Sequence, residues 1–586
     1  MGSPAIDRRP SPRPVAACAG AALAATLLTL AAACGRIDPP GGLAPQAAPN
    51  TERATLDLFV FGRVLGTIAP CGCTTEPLGG LGYAFGYIEA HSRGTARLVL
   101  EPGSFLFPDP AGPEAPADEA SWAQAEQRAG LLHHRFASLG DHLISGVGPT
   151  DLTSTRGAAA LERWPLPRVL TNLAANAPLT LPRHRIAELA IGAVGVAAVV
   201  DPALPGADRL GPLEPPIAAL AREVPALRGA GASLVVVMVQ GERPLAEEIA
   251  RAVPGIDAIV IGHVPGAERA RVGAPAARLG DTWILEPGEQ AQTLTHLRLS
   301  IDRKAHPQGA PTAASWTVIP PRAVREAELA RVEARLTKFK ADPAADPEFI
   351  RRLDDEASAL RASLGAGDEP RGPAVATFDQ VKITCKLPVD EAAAASLRGY
   401  DAWVAEQNLQ RFAGVTPPAP AAGEAGYVGM DECEGCHEEA VTFWKTTRHA
   451  GAYKTLVDDN KHYDLSCVGC HVTGFRQPGG SEVVENHHLQ AIQCEQCHGP
   501  GGLHALEPTV LGKANAIRRS SPIEVCLECH TPEHSDTFEY QAYLRDIVGP
   551  GHGEQHRVSL GDGPTGRELR AAGFAKAGGA CKKMMK

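Results

Sequence analysis

Cys433-Glu-Gly-Cys436-His437, Cys467-Val-Gly-Cys470-His471, Cys494-Glu-Gln-Cys497-His498 and Cys526-Leu-Glu-Cys529-His530 follow one another near the end of a 586-residue chain. Two thiols separated by two residues can each take one vinyl group of a single porphyrin, and the histidine that follows reaches the iron. Chance placement at this composition gives about 0.01 such pentapeptides in a chain of this length, so four copies are a pattern. A structural zinc site needs no histidine directly after the second cysteine, and a thioredoxin-like pair would occur once. The expected cofactor is therefore four covalently bound c-type haems. Cys433, Cys436, Cys467, Cys470, Cys494, Cys497, Cys526 and Cys529 would attach them, with His437, His471, His498 and His530 as iron ligands.

The surrounding residues say what kind of haem site this is. Twelve of the twenty histidines lie after Tyr427, where long aliphatic runs are absent. A segment so poor in aliphatic residues cannot build an ordinary core, which leaves the porphyrins to serve as one. The methionines are Met1, Met238, Met430, Met584 and Met585, and Met430 stands too close to Cys433 to reach across that ring. Methionine ligation raises the potential, so its absence predicts mostly bis-histidine, low-potential iron. Distal ligands must then come from His449, His462, His487, His488, His504, His534, His552 and His556.

Cys433-Glu-Gly-Cys436-His437 with Trp444, Thr446, Thr447, Arg448 and His449-Ala-Gly-Ala-Tyr453, and Cys494-Glu-Gln-Cys497-His498-Gly-Pro-Gly-Gly-Leu-His504, resemble the tetrahaem cytochrome c-554 family. The resemblance implies that His449 and His504 are distal ligands, often to the haem of another motif. It also implies three six-coordinate haems and one with an open position. His552, in Gly549-Pro-Gly-His552-Gly553, is the next distal candidate.

Upstream the pattern changes. Leu56 to Phe61, Arg97 to Leu100, Ala193 to Val200, Leu234 to Val239 and Ala258 to Ile261 read as buried strands, with helices at Ser121 to Ala137 and Pro244 to Val253. This alternation predicts an α/β domain over 54–320. Glu326 to Lys340 and Glu348 to Leu364, broken at Asp342-Pro343-Ala344-Ala345-Asp346-Pro347, predict a helical hairpin. A strand at Ala374 to Leu387 and a helix at Asp390 to Phe412 complete a segment 321–413. A Pro/Ala/Gly-rich linker spans 414–426, and a mainly α, haem-packed domain fills 427–586.

The stretch Ala232 to Gly266, with Gln240-Gly241-Glu242 and Pro254-Gly-Ile-Asp257-Ala-Ile-Val-Ile-Gly262-His263, resembles the metallophosphoesterase domain of the 5′-nucleotidase family. That implies an αββα sandwich. The family's two-metal ligands would fall at Phe61-Gly62-Arg63, Pro102-Gly103-Ser104, Gly148-Pro149-Thr150-Asp151, Gln240 and His263 with Pro265, where His263 alone is preserved. Two-metal hydrolysis needs several oxygen and nitrogen ligands, so the domain reads as catalytically degenerate. The first loop instead carries Ala69-Pro70-Cys71-Gly72-Cys73. These thiols are candidates for a redox or metal site: a mutual disulfide, a soft-metal site with His263, or pairing with Cys385 and Cys581.

Arg8, Arg9 and Arg13 precede an apolar stretch from Val15 to Leu30 and then Ala31-Ala32-Ala33-Cys34. Residues 1–34 therefore read as a lipoprotein-type signal with Cys34 as the lipidated residue, followed by a linker over 35–53. A net charge of −11 argues against nucleic acid as a partner. The expected protein is a periplasmic electron carrier anchored by lipid to the outer membrane of a Gram-negative bacterium. Its partners would be other cytochromes or membrane quinol-linked complexes. Two alternatives stand beside it: a haem oxidoreductase acting on a small nitrogen or sulfur compound at an open-coordinate haem, and a metal-dependent phosphohydrolase.

Overall fold

The computed structural model describes residues 52–579, apart from 71–72, 113–114, 155, 264–266, 366–371, 486 and 508–516. The expected signal with Cys34, the first-loop Cys71, and also Pro265 and Cys581 lie outside the described residues.

Among the described residues twelve strands form, in chain order β1 (Arg53–Val60), β2 (Ala96–Glu101), β3 (Leu143–Ser145), β4 (His184–Leu189), β5 (Gly192–Val200), β6 (Leu234–Gln240), β7 (Ala258–Ile261), β8 (Ala274–Leu279), β9 (Thr282–Glu286), β10 (Thr293–Asp302), β11 (Thr317–Ile319) and β12 (Ala374–Lys382). They make two six-stranded mixed sheets, β11-β12-β10-β1-β2-β3 and β4-β5-β6-β7-β9-β8. In the first, β1 runs parallel to β2 and antiparallel to β10. In the second, β5, β6, β7 and β9 run parallel, with antiparallel partners at both edges.

Period-two geometry explains how the sheets stack. Leu56, Leu58 and Val60 of β1 point to the same interior as Leu234, Val236 and Met238 of β6, forming a core between the two sheets. The alternate residues face outward. Phe59 of β1 meets helices α1 (Leu81–His91) and α2 (Glu119–Ala137) through Phe85, Ile88, Leu132 and Phe136. Val235, Val237 and Val239 of β6 meet α3 (Pro216–Gly229) and α4 (Arg243–Ala252) through Leu220, Val224 and Ile249. Helices thus cover both outer faces of two packed sheets, which is the αββα arrangement.

The expected hairpin forms as α5 (Arg322–Lys340) and α6 (Pro347–Gly365), closed by Val332, Leu336, Leu353 and Ala357. After it the chain returns to the sandwich. β12 pairs with β10 from Ala374 to Lys382, and α7 (Glu391–Phe412) lays Tyr400 and Val404 into the core under α1 and α2. The first sheet is thus completed only after the hairpin, by a strand beyond residue 320.

The longer helices of the C-terminal segment are α8 (Met430–Trp444), α9 (Tyr540–Ile547) and α10 (Gly566–Lys576), with short helices and irregular chain between α8 and α9. Its largest apolar cluster is Val468, Val472 and Val483, completed by Ala120 of α2 and Phe412 of α7. Polar contacts run across the same seam. Gln124 is buried, donates to Asp464 at 2.9 Å, and accepts from Asn408 at 2.8 Å and from the Leu465 backbone at 3.3 Å. Asp464 caps the turn that carries Cys467 by accepting from Ser466 N, so the sandwich grips the second Cys-x-x-Cys-His motif directly.

Candidate haem-binding site

Each pentapeptide sits on a single helical turn or its edge, which brings both thiols and the histidine to one side of the backbone. The first lies in α8, where His437 leaves helical geometry (φ −120°, ψ 36°). The third, Cys494–His498, closes at Gly499 with φ 92°, a conformation that favours glycine.

A residue between the third motif's cysteines joins it to the first. The Glu495 carboxylate is buried and accepts from Gly429 N at 2.7 Å, Gly501 N at 2.6 Å and Val428 N at 3.1 Å, while Gln493 accepts from Met430 N at 2.7 Å. A carboxylate at the start of α8 satisfies orphan amides and opposes the positive end of the helix. The motif pattern leaves the two positions between its cysteines unspecified, so the sequence carried no signal for Glu495.

Three of the four motif histidines have a second imidazole against them. His437 and His504 have ring centres 6.4 Å apart at 28°, His498 and His552 6.4 Å at 27°, and His449 and His530 6.2 Å at 41°. An imidazole nitrogen ligates a metal at about 2 Å, so two rings on opposite sides of one iron have centres about 6 to 6.5 Å apart. The spacing therefore fits a metal between each pair. His504 Nδ1 is buried without a hydrogen-bond partner, as a nitrogen meant for another bond would be. His471, among the described residues, has no imidazole stacked against it.

Nitrogen roles are set by the neighbours. His471 Nδ1 lies 2.7 Å from Ala452 O, His498 Nδ1 2.7 Å from Arg518 O, and His530 Nδ1 3.0 Å from Ser535 Oγ. Nδ1–H donated to a carbonyl leaves Nε2 with its lone pair, the form that binds a metal. Burial depresses His449, His471 and His552, and with His449 and Arg570 it pushes His530 down to about 4. The thiols come near one another across motifs, Cys433 with Cys494 and Cys470 with Cys529.

His462 packs on Tyr463, His487 and His488 are exposed, and His534 is held by Thr531 Oγ1 at 2.9 Å.

In the sandwich, the positions where the sequence resemblance expects metal ligands are engaged by protein groups. Arg63 makes a two-pronged pair with Glu289 at 2.9 and 2.8 Å. Gln240 donates to Gly103 O at 2.8 Å and accepts from Ser104 Oγ at 3.3 Å. Asp151 accepts four backbone amides, from Ser104, Phe105, Leu106 and Gly148. His263 lies 3.9 Å from Glu289 and 4.0 Å from Glu242, and is depressed by burial and then by Arg63. Among the described residues no group of three or more His, Cys, Asp or Glu is arranged to hold a metal ion. Cys73 is exposed, and Cys385 is disulfide-bonded.

Residues 432–499 match the family described as cytochrome c554 and c-prime. Cytochrome c-554 of Nitrosomonas europaea is 38% identical over 96 residues, 14% of this chain and 41% of that protein. The chain thus spans about two fifths of the length of that relative. Solved structures with some likeness include a 5′-nucleotidase precursor from Thermus thermophilus (TM-score 0.39, 14% identity, 68% of each chain). The NAD nucleotidase of Haemophilus influenzae gives 0.36 at 13%, over 71% of this chain and 69% of its own. A 5′-nucleotidase from Staphylococcus aureus gives 0.35 at 17%, over 43% of this chain and 52% of its own. The α/β fold rests on the sheet topology, not on these scores. Through residues 432–499, the C-terminal segment is similar to the cytochrome c554 and c-prime family.

Proposed function

We propose that the chain is an exported tetrahaem c-type cytochrome that relays electrons through residues 427–586. In this reading 54–320 and the strand and helix after the hairpin form a sandwich without hydrolase activity. The observation that carries it is the set of three imidazole pairs at 6.2 to 6.4 Å, each joining a motif histidine to one remote in sequence. The ligand pairs would be His437 with His504, His498 with His552 and His530 with His449. When bound, haem supplies a one-electron iron couple, held at low potential by two imidazoles rather than one imidazole and a thioether.

The protein's own residues do the rest. Eight thiols attach the rings, and the partners of Nδ1 aim Nε2 at the metal. The cysteine contacts group the motifs first with third and second with fourth, while Cys497 and Cys526 are close enough to feel each other's charge. The basic, apolar and alanine-rich lead to Cys34 supports export and a lipid anchor facing the periplasm. Cytochromes or quinol-linked membrane complexes are the partners this implies.

A second reading rests on His471, which among the described residues has no paired imidazole. Its haem would be the place for a small nitrogen or sulfur compound to bind. One experiment separates these outcomes. Haem content by pyridine haemochrome, with paramagnetic resonance of the oxidised protein, should give four haems, three of them low-spin bis-imidazole. Four low-spin irons would remove the second reading, and fewer than four haems would remove the first.

A further inference from the structure

The loop after Cys73 belongs to the sandwich in sequence but touches the haem segment in space. Thr75 is buried and donates to the Asp536 carboxylate through its backbone N at 3.0 and 3.1 Å and its Oγ1 at 2.8 Å. Arg271, from the second half of the sandwich, stands 3.9 Å from the same carboxylate. Arg570 of α10 donates to Cys73 O at 2.8 Å. The contacts of Thr75 and Arg271 with Asp536 hold the turn that wraps His530.

Ser535, next to Asp536, holds His530 Nδ1 at 3.0 Å. Phe538 stacks on the His530 ring at 4.8 Å and 11°, and Tyr543 meets it edge-on at 5.2 Å. One face of the 531–538 turn therefore grips the histidine, and the other is pinned to the sandwich.

We propose that the Cys73–Glu76 loop of the sandwich positions the fourth motif's iron ligand through Asp536, which holds the turn that fixes the His530 ring plane. Asp536 is a positioning residue. The proposal rests on His530 being a haem ligand, the reading given above. A hydrogen bond to Nδ1 sets the tautomer and basicity of a ligating histidine, and its loss lets the ring turn. The sandwich would then tune one haem of the four, a role that asks for none of the metal ligands it lacks.

The test uses the full-length, haem-loaded protein and reads potentials and spectra. In Asp536→Asn, one of four components in a potentiometric titration should move while the other three stay. Asp536→Asn and Thr75→Val should alter the low-spin paramagnetic signal of one haem and leave two unchanged. The proposal is overturned if Asp536→Asn carries four haems and titrates like the parent, or if Thr75→Val and Asp536→Asn leave every signal in place. A parent protein loaded with three haems and lacking the His449–His530 signal would instead defeat the ligand assignment itself.

Discussion

Replacing Glu101 by glutamine should make the sandwich more stable at alkaline pH and leave it nearly unchanged at pH 5. Glu101 ends β2 with no exposed surface and accepts from Gly103 N and Ser145 Oγ, both at 2.7 Å. Burial, then the neighbouring Asp151 carboxylate, pushes its carboxyl up to about 8 from an ordinary 4.5. An acid whose folded-state value is raised binds its proton more tightly folded than unfolded. Between about pH 4.5 and pH 8 the folded state holds the extra proton, so stability falls as pH rises through that window and levels off above it. At 1.36 kcal/mol per pH unit, the ceiling on this loss is about 5 kcal/mol. Glutamine is neutral at every pH, can accept from Gly103 N and can donate to Ser145 Oγ, which already lies 3.0 Å from Gly146 O. Urea midpoints of the parent and Glu101→Gln, taken from pH 5 to pH 9 by circular dichroism, should converge at the acid end and separate steadily toward pH 8. Parallel profiles would refute the reasoning, because the slope would then belong to other groups.

Further outcomes are expected. His504→Ala and His552→Ala should each convert one of the three low-spin irons to high spin, read by paramagnetic resonance, without altering the remaining pairs. Gln124→Ala removes a buried amide that serves Asp464, Asn408 and Leu465, and should cost about 1 to 3 kcal/mol in the denaturant midpoint. A phosphatase assay with added manganese on nucleotides and bis-p-nitrophenyl phosphate should show no turnover. Activity lost in His263→Ala would restore the hydrolase alternative.

Much of the fold was legible because buried strands and amphipathic helices leave local traces. Ala258 to Ile261 is β7, and the helices on either side of the Asp342–Pro347 break form as the hairpin. The direction in which a strand's residues point was not legible. Leu234 to Val239 is apolar throughout because both faces are covered, so polarity cannot show that Val236 meets the other sheet while Val237 meets helices. Nor does local pattern reveal that β12, which comes after a helical hairpin, completes a sheet begun with β1. That depends on backbone pairing across a separation of hundreds of residues.

The candidate site divides the same way. Thioether chemistry needs two thiols and a histidine at fixed short spacing, so the four proposed attachment sites and their proximal histidines could be read from the sequence itself. The shortage of methionine likewise directs the proposed distal ligands to histidine. Which histidine faces which motif is another matter, since His449 lies just after the first motif yet stacks against His530 of the fourth. Residues remote in sequence meet only when Glu495, Gln124 and Asp536 tie their segments together, and those contacts are products of packing. The sequence by itself determined the chemistry available, because covalent attachment is local. Tertiary structure alone decided which histidines pair and how the sandwich grips the C-terminal segment, because both are relations across space.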